Sequence, residues 1–276
     1  DRRQIMNNFT YSVPTKIHFG KGQISHLYEL SESGNKVLLC YGGGSIKKAG
    51  IYDEAVKILK EEDIEIFELS GIAPNPKIES VREGVKLCKE NDIDMVLAIG
   101  GGSVIDCAKV VAAGACYDGD PWDLVITPRW IKKALPIYSV LTLSATGSEM
   151  DPFAVISDMS KNEKWGTASE HMKPKMSILD PEYTYSVSKK QTAAGTADMI
   201  SHIFENYFTN VKNADVQARF AEGLLKNCFK YGPIALEEPD NYDARANLMW
   251  TASMAINGIL SDGAEVSWCV HPMEHE

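Results

Sequence analysis

The chain has 276 residues, of which 44% are hydrophobic and 24% charged, with a formal net charge of -10, an ordinary make-up for a globular protein long enough for about two domains. The acidic balance, without clustered Lys and Arg, argues against a nucleic-acid partner, because a phosphate backbone is gripped by such clusters. No apolar run approaches the roughly eighteen residues of a membrane span, and the start lacks a signal-peptide core, so no membrane partner and a cytoplasmic location are expected, with Met6 as the natural start.

From Lys16 to about Asp180, short apolar runs alternate with helical patterns. Lys36–Cys40 reads as a strand that ends in the turn Gly42-Gly43-Gly44-Ser45, followed by a helix from about Tyr52 to Lys60 and a strand-like Ile64–Leu69. Beyond the loop Pro74-Asn75-Pro76, Ile78, Val81, Val85 and Cys88 share a face at helical spacing. Met95–Ile99 then reads as a strand that runs through Gly100-Gly101-Gly102-Ser103 into a helical pattern. Strand, glycine turn, helix is a phosphate cradle: glycines allow close backbone approach, and the first N–H groups of the helix face the anion with the dipole behind them. The spacing matches neither G-x-G-x-x-G nor a P-loop, and by itself the run also fits a tight structural turn. A further strand, Ile137–Leu143, leads into the small-residue turn Ser144–Glu149.

Past Asp180-Pro181 the character changes. Val216, Phe220, Leu224 and Cys228, then Leu248, Ala252, Ala255 and Ile259, recur at helical spacing, so this part reads as all-helical. Alternation followed by helices predicts an α/β Rossmann-like domain over 6–185 and an all-α domain over 186–276. The six cysteines, Cys40, Cys88, Cys107, Cys116, Cys228 and Cys269, form no C-x-x-C pair and are expected to be reduced and mostly buried.

Asp198 and His202 lie four apart in a helical segment, and His271 and His275 repeat that spacing near the end. Such a pair projects from one helix face and suits iron(II), zinc, manganese or nickel, although either pair alone also reads as a surface hydrogen bond or ion pair. Two pairs behind a phosphate-binding domain favour the metal. His18, His26 and His171 sit in segments without matching partners, where surface or hydrogen-bonded roles are expected.

With these pieces in order, the sequence resembles the iron-containing alcohol dehydrogenases, most closely their butanol dehydrogenase branch of NAD(P)H-dependent aldehyde and alcohol enzymes. Tyr41–Ser45, Pro74-Asn75-Pro76, Gly100–Lys109, Ser144–Glu149, Asp180-Pro181, Gly195–His202 and the ending His271–Glu276 carry the resemblance. It implies a dehydroquinate-synthase-like fold, with a dinucleotide-binding domain and a helical metal-binding domain, the latter partial because relatives continue for about a hundred residues and supply a fourth ligand histidine. It implies that Gly100, Gly101, Gly102 and Ser103 hold the pyrophosphate, with Val104 and Asp106 completing the loop. Thr142, Leu143 and Thr146 would line the adenosine side, Leu179 would pack nearby, and Lys164 would reach the nicotinamide ribose. Gly42, Gly43, Ser45 and Asn75 belong to the same cofactor set. Asp198, His202 and His271 would bind Fe2+ or Zn2+, and His275 would relay the alcohol proton beside the nicotinamide.

The activity so implied is hydride transfer between a primary aliphatic alcohol such as butanol and NAD(P), in a homodimer paired through the extended segment Val13–Phe19. The turn Gly42–Ser45 lacks the acid that would repel a 2′-phosphate, and Lys47 and Lys48 follow it, which favours NADP(H) while tolerating NAD(H). A solvated helix face is the other reading of these lysines. A polyol dehydrogenase or dehydroquinate-synthase-like enzyme, and a nucleotide-binding fragment without metal, are the competing readings.

Overall fold

Eight strands are present in the described residues: β1 (Lys16–Phe19), β2 (Lys36–Tyr41), β3 (Glu65–Leu69), β4 (Met95–Gly100), β5 (Ile137–Leu141), β6 (Phe153–Asp158), β7 (Glu163–Ala168) and β8 (Met176–Leu179). The helices are α1 (Ser45–Lys48), α2 (Ile51–Glu61), α3 (Ile78–Glu90), α4 (Gly102–Ala115), α5 (Pro121–Ile126), α6 (Lys189–Tyr207), α7 (Asp215–Glu237) and α8 (Tyr242–Ile256), with a 3-10 helix over Gln23–Ser33. This computed structural model describes residues 6–264 and 266.

Apolar runs without polar alternation suit strands covered on both faces, and β4 and β5 are buried along their whole length. Six strands pair in parallel in the order β1-β8-β5-β4-β2-β3. Alternate residues share a face: Val37, Leu39, Met95, Leu97, Ile99, Val140 and Ile178 join one cluster with Leu27 and Leu30 of the 3-10 helix and Ala55 and Leu59 of α2. Helices α3 and α4 touch the sheet without belonging to that cluster and so cover its other face. They pack tightly on each other, for a Cβ on Gly84 would stand 2.6 Å from Val111 Cγ2. The chain therefore leaves β2 toward one face and leaves its neighbour β4 toward the other. Diverging loops of adjacent parallel strands open the crevice in which such sheets bind ligands.

The antiparallel hairpin β6–β7 is fastened to this framework. Ser157 N donates to Pro76 O at 2.9 Å, Val155 N to Asp106 Oδ2 at 2.9 Å, and Lys109 Nζ to Phe153 O at 2.8 Å. Pro14–Thr142 and Pro152–Tyr183 together form one compact unit.

The second unit comprises Leu143–Asp151 and the described parts of Asp1–Val13 and Thr184–Glu276. Its core joins Met199 and Ile203 of α6, Ala221, Leu225, Cys228 and Ala235 of α7, and Ala244, Leu248, Ala252 and Ala255 of α8. Ser188 caps α6 by accepting from Gln191 N at 3.2 Å. The helical reading of this part holds, but the stripe Val216, Phe220, Leu224, Cys228 is not its buried face: Val216 is 64% and Phe220 48% exposed. Each four-residue step rotates by about 40° beyond a full turn, so the stripe winds from solvent at Val216 into the core at Cys228.

Cys40, Cys88, Cys107 and Cys228 are buried, Cys116 is exposed, and Cys269 lies outside the described residues. Burial pushes the Cys88 and Cys107 thiols up to about 12, which keeps them protonated and unreactive. No helix of the described residues is long and apolar enough to cross a membrane.

Candidate active site

The carboxyl edge of the sheet gathers most of the expected cofactor residues. Tyr41, Ile99, Val140 and Ile178 stand in one row across β2, β4, β5 and β8, so Gly42, Gly100 and Leu179 follow in the next. Thr142 N donates to Gly100 O at 3.0 Å, and Gly20 N to Leu179 O at 2.9 Å. Val104 and Ile105 N donate back to Gly101 O at 3.0 and 3.2 Å, which sets Gly102 and Ser103 in the first turn of α4, where helix N–H groups lack intrahelical acceptors. A Cβ on Gly100 would lie 2.6 Å from Val104 Cγ2, so glycine is what lets the helix start this close to its strand. Asn75 holds a left-handed backbone at φ 52 and donates its N–H to Ser103 Oγ at 3.3 Å. Lys164 faces Ser157 across the hairpin, and Ser157 is bonded to Pro76, so the hairpin holds Lys164 in register with the Asn75 loop. Asp106 has one carboxylate oxygen committed to that hairpin through Val155 N.

Beside the Gly42–Ser45 turn stands a cluster that spacing does not reveal. The hydroxyls of Tyr41 and Tyr52 both donate to the Glu68 carboxylate, and Lys47 Nζ lies 5.0 Å from the Tyr41 ring centroid and 4.3 Å from that of Tyr52. Lys47, exposed beside the turn, thus packs its ammonium over two π faces. Around Gly43 and Gly44 an added Cβ would meet nothing within 4 Å. The hydrogen bond to Glu68, followed by burial, raises the Tyr52 phenol to about 12. A phenol held neutral by folding contributes stability that is complete below the unfolded value near 10 and fades as pH rises toward about 12. Ultraviolet titration of phenolate should show this late ionisation, and Glu68→Gln should return it toward the ordinary value; an unmoved titration curve would contradict the pairing.

In the helical unit, α6 carries Asp198 and His202 one turn apart, with Asp198 Oδ1 3.8 Å from His202 Nε2. That separation is too long for a hydrogen bond, yet two ligand bonds of about 2.1 Å span up to about 4.2 Å, so one cation fits both atoms. His202 is buried and the Asp198 side chain is 26% exposed, which leaves the pair an approach. His271 and His275 lie outside the described residues.

The turn that carries Leu143 and Thr146 is clasped within the same unit. Gly147 has φ 71, and a Cβ there would stand 2.4 Å from Ile256 Cγ2 of α8; a Cβ on Gly195 of α6 would stand 2.6 Å from Ser144 O. Thr146 Oγ1 accepts from Ser148 N at 3.3 Å, and Ser253 of α8 donates to Glu149. Both glycines were legible as small residues, but only the packing shows what they admit. Leu143 also lines a small cavity of about 10 Å³ with Ser144, Thr192 and the buried Arg245.

A glycine turn between strand and helix at a sheet switch point, and a helical Asp–His pair within reach of one cation, are compatible with a metal-dependent dehydrogenase. Two family profiles match: iron-containing alcohol dehydrogenase over residues 14–181, and the C-terminal part of the Fe-containing alcohol dehydrogenase family over 192–276. The chain is 59% identical over 272 residues to NADH-dependent butanol dehydrogenase A of Clostridium acetobutylicum, covering 98% of this chain and 70% of that protein. It is 44% identical over 274 residues to the NADPH-dependent aldehyde reductase YqhD of Escherichia coli, again covering 98% and 70%. The crystal structure of an NADH-dependent butanol dehydrogenase A from Thermotoga maritima superposes with a TM-score of 0.95 at 46% identity, over 99% of this chain and 69% of that one. The chain belongs to the iron-containing alcohol dehydrogenase family, on its butanol dehydrogenase branch. It is an alcohol dehydrogenase or aldehyde reductase by class, with the α/β and all-α layout of that family.

Proposed function

We propose that the protein interconverts short primary aliphatic alcohols such as butanol and their aldehydes, with NADH or NADPH as hydride donor in reduction. The observation that carries this reading is the row Gly42, Gly100, Leu141 and Leu179 at the carboxyl edge of the sheet, with Thr142 N bonded to Gly100 O, beside a helix start that only glycine permits. In this reading Gly100, Gly101, Gly102 and Ser103 bind the pyrophosphate through backbone N–H groups. Gly42, Gly43 and Ser45 receive the adenosine ribose, and the open space at Gly43 and Gly44 admits a 2′-phosphate as well as a hydroxyl. Asn75, Val104, Asp106, Thr142, Leu143, Thr146 and Leu179 complete the cofactor contacts, and Lys164 donates to the nicotinamide ribose.

Asp198, His202 and His271 would hold the family's iron, for which carboxylate and imidazole are fitting donors. A bound divalent cation supplies Lewis acidity that polarises the substrate oxygen. His275 exchanges the alcohol proton with solvent, a task suited to imidazole near neutral pH. Pairing through the outer edge of β1 gives a homodimer, and the cytoplasm is the proposed location.

Steady-state oxidation of butan-1-ol, and reduction of butanal, with each of the four cofactor forms tests the reading. Cofactor-dependent turnover that requires added Fe2+ or Zn2+ is expected. Tight dinucleotide binding without turnover of any primary alcohol or aldehyde under metal loading would overturn it.

A further inference from the structure

The α/β unit holds a second cluster of metal-competent side chains. His18 lies on β1, and His26 and Glu29 lie on the 3-10 helix that follows it. The two imidazoles, which share no sequence spacing, are stacked with centroids 3.6 Å apart and planes at 9°. Glu29 Oε1 stands 2.8 Å from His18 Nε2 and 3.0 Å from His26 Nδ1, while Oε2 accepts from Lys16 Nζ at 2.7 Å. Despite its short distance to Glu29, His18 Nε2 is buried without a hydrogen bond of proper alignment. One ligand atom from each of the three residues lies within 4.8 Å of the other two.

A single carboxylate oxygen thus faces two imidazole nitrogens, and the buried His18 Nε2 is left without an aligned hydrogen bond. A cation between the three atoms resolves it. We propose that His18, His26 and Glu29 form a divalent transition-metal site, distinct from Asp198 and His202, that clasps β1 to the 3-10 helix. The ligand atoms are His18 Nε2, His26 Nδ1 and Glu29 Oε1; the imidazoles open from their stack so that each lone pair meets the ion in its ring plane. Lys16 keeps Oε2 and orients the carboxylate from outside the coordination sphere. Two imidazoles and one carboxylate select zinc, cobalt, nickel or copper over magnesium or calcium, which take oxygen ligands.

The test uses the whole chain freed of metal by a chelator, titrated with Zn2+ alone in a calorimeter and with Co2+ by visible absorption. Wild type is expected to bind one equivalent more than His26→Ala, and Asp198→Ala/His202→Ala should retain the equivalent that His26→Ala loses. His18→Gln and Glu29→Gln should weaken that equivalent at least about tenfold. Zn2+ should raise the thermal midpoint of Asp198→Ala/His202→Ala but not of the triple variant that adds His26→Ala. Circular dichroism identifies any variant that does not fold, and the remaining variants then carry the comparison. Equal stoichiometry and affinity in wild type, His18→Gln, Glu29→Gln and His26→Ala would overturn the site, as would complete loss of Zn2+ binding in Asp198→Ala/His202→Ala.

Discussion

Asp198→Ala and His202→Ala are each expected to abolish metal-dependent turnover while leaving dinucleotide affinity within a factor of about two, because the two residues sit in the helical unit and the glycine turns in the other. Each substitution removes a donor from a pair only 3.8 Å apart, and one remaining donor on α6 cannot fix a cation in place. The expected loss in kcat/KM is on the order of a thousandfold or more, the scale seen when a group that stabilises developing charge is deleted. His202 is buried, so its removal also opens a cavity, at a cost of about 1–3 kcal/mol of stability. Asp198→Asn separates the two effects: it keeps the volume and removes the charge, and should lose turnover without the change in thermal midpoint. Turnover in both Ala variants at the wild-type rate, with iron or zinc supplied, would remove Asp198 and His202 from the metal site.

Gly100→Ala is expected to weaken binding of either dinucleotide about tenfold to a hundredfold, the worth of one or two hydrogen bonds to a charged group. Its added methyl would stand 2.6 Å from Val104 Cγ2 and 2.8 Å from Val104 Cβ. The clash is with a β-branched side chain in the first turn of a buried helix, so relief comes by moving the start of α4 away from β4. That carries the N–H groups of Gly102 and Ser103 off the pyrophosphate. Gly223→Ala on α7 is the control: its methyl would meet nothing within 4 Å, and dinucleotide affinity should hold. Equilibrium titration of nicotinamide fluorescence reads both variants. Equal affinity for Gly100→Ala and wild type would show that the pyrophosphate does not rest on this turn.

Much of the sheet was legible because its strands are short apolar runs and its helices show clear faces. Ile78, Val81, Val85 and Cys88 are all buried as their spacing indicates, and the runs at Lys36, Met95 and Ile137 became β2, β4 and β5. The faces of longer helices were harder. A strict four-residue stripe drifts around a 3.6-residue helix, which is why Val216 lies in solvent and the neighbouring register Ala221, Leu225, Cys228 forms the core of α7. The turn at Gly100–Ser103 was readable as a strand-to-helix junction because glycine's effect is local to the backbone. The clusters Tyr41–Tyr52–Glu68–Lys47 and His18–His26–Glu29 were not legible: the first joins residues of β2, α1, α2 and β3 through strand order, and the second joins β1 to the 3-10 helix after it through the turn between them. No spacing rule connects a residue on β3 with two tyrosines near the end of β2 and on α2. In the same way, Asp106 and Lys109 read as parts of a loop and a helix, and only the hairpin reveals the carbonyl and amide they hold.

Nearly every residue of α4 from Gly102 to Gly114 is buried, and its first turn is fixed to β4 and to the Asn75 loop before any cofactor arrives. In the proposed reading, the amides that would meet a diphosphate are thus preorganised, and docking would freeze few additional torsions. Ordering a flexible loop would instead have subtracted from affinity about 0.5–1.5 kcal/mol for each side chain immobilised. A coenzyme that enters and leaves such a seat does so by exchanging water rather than by remodelling the chain, which suits a carrier that must depart in its other redox state after every turnover.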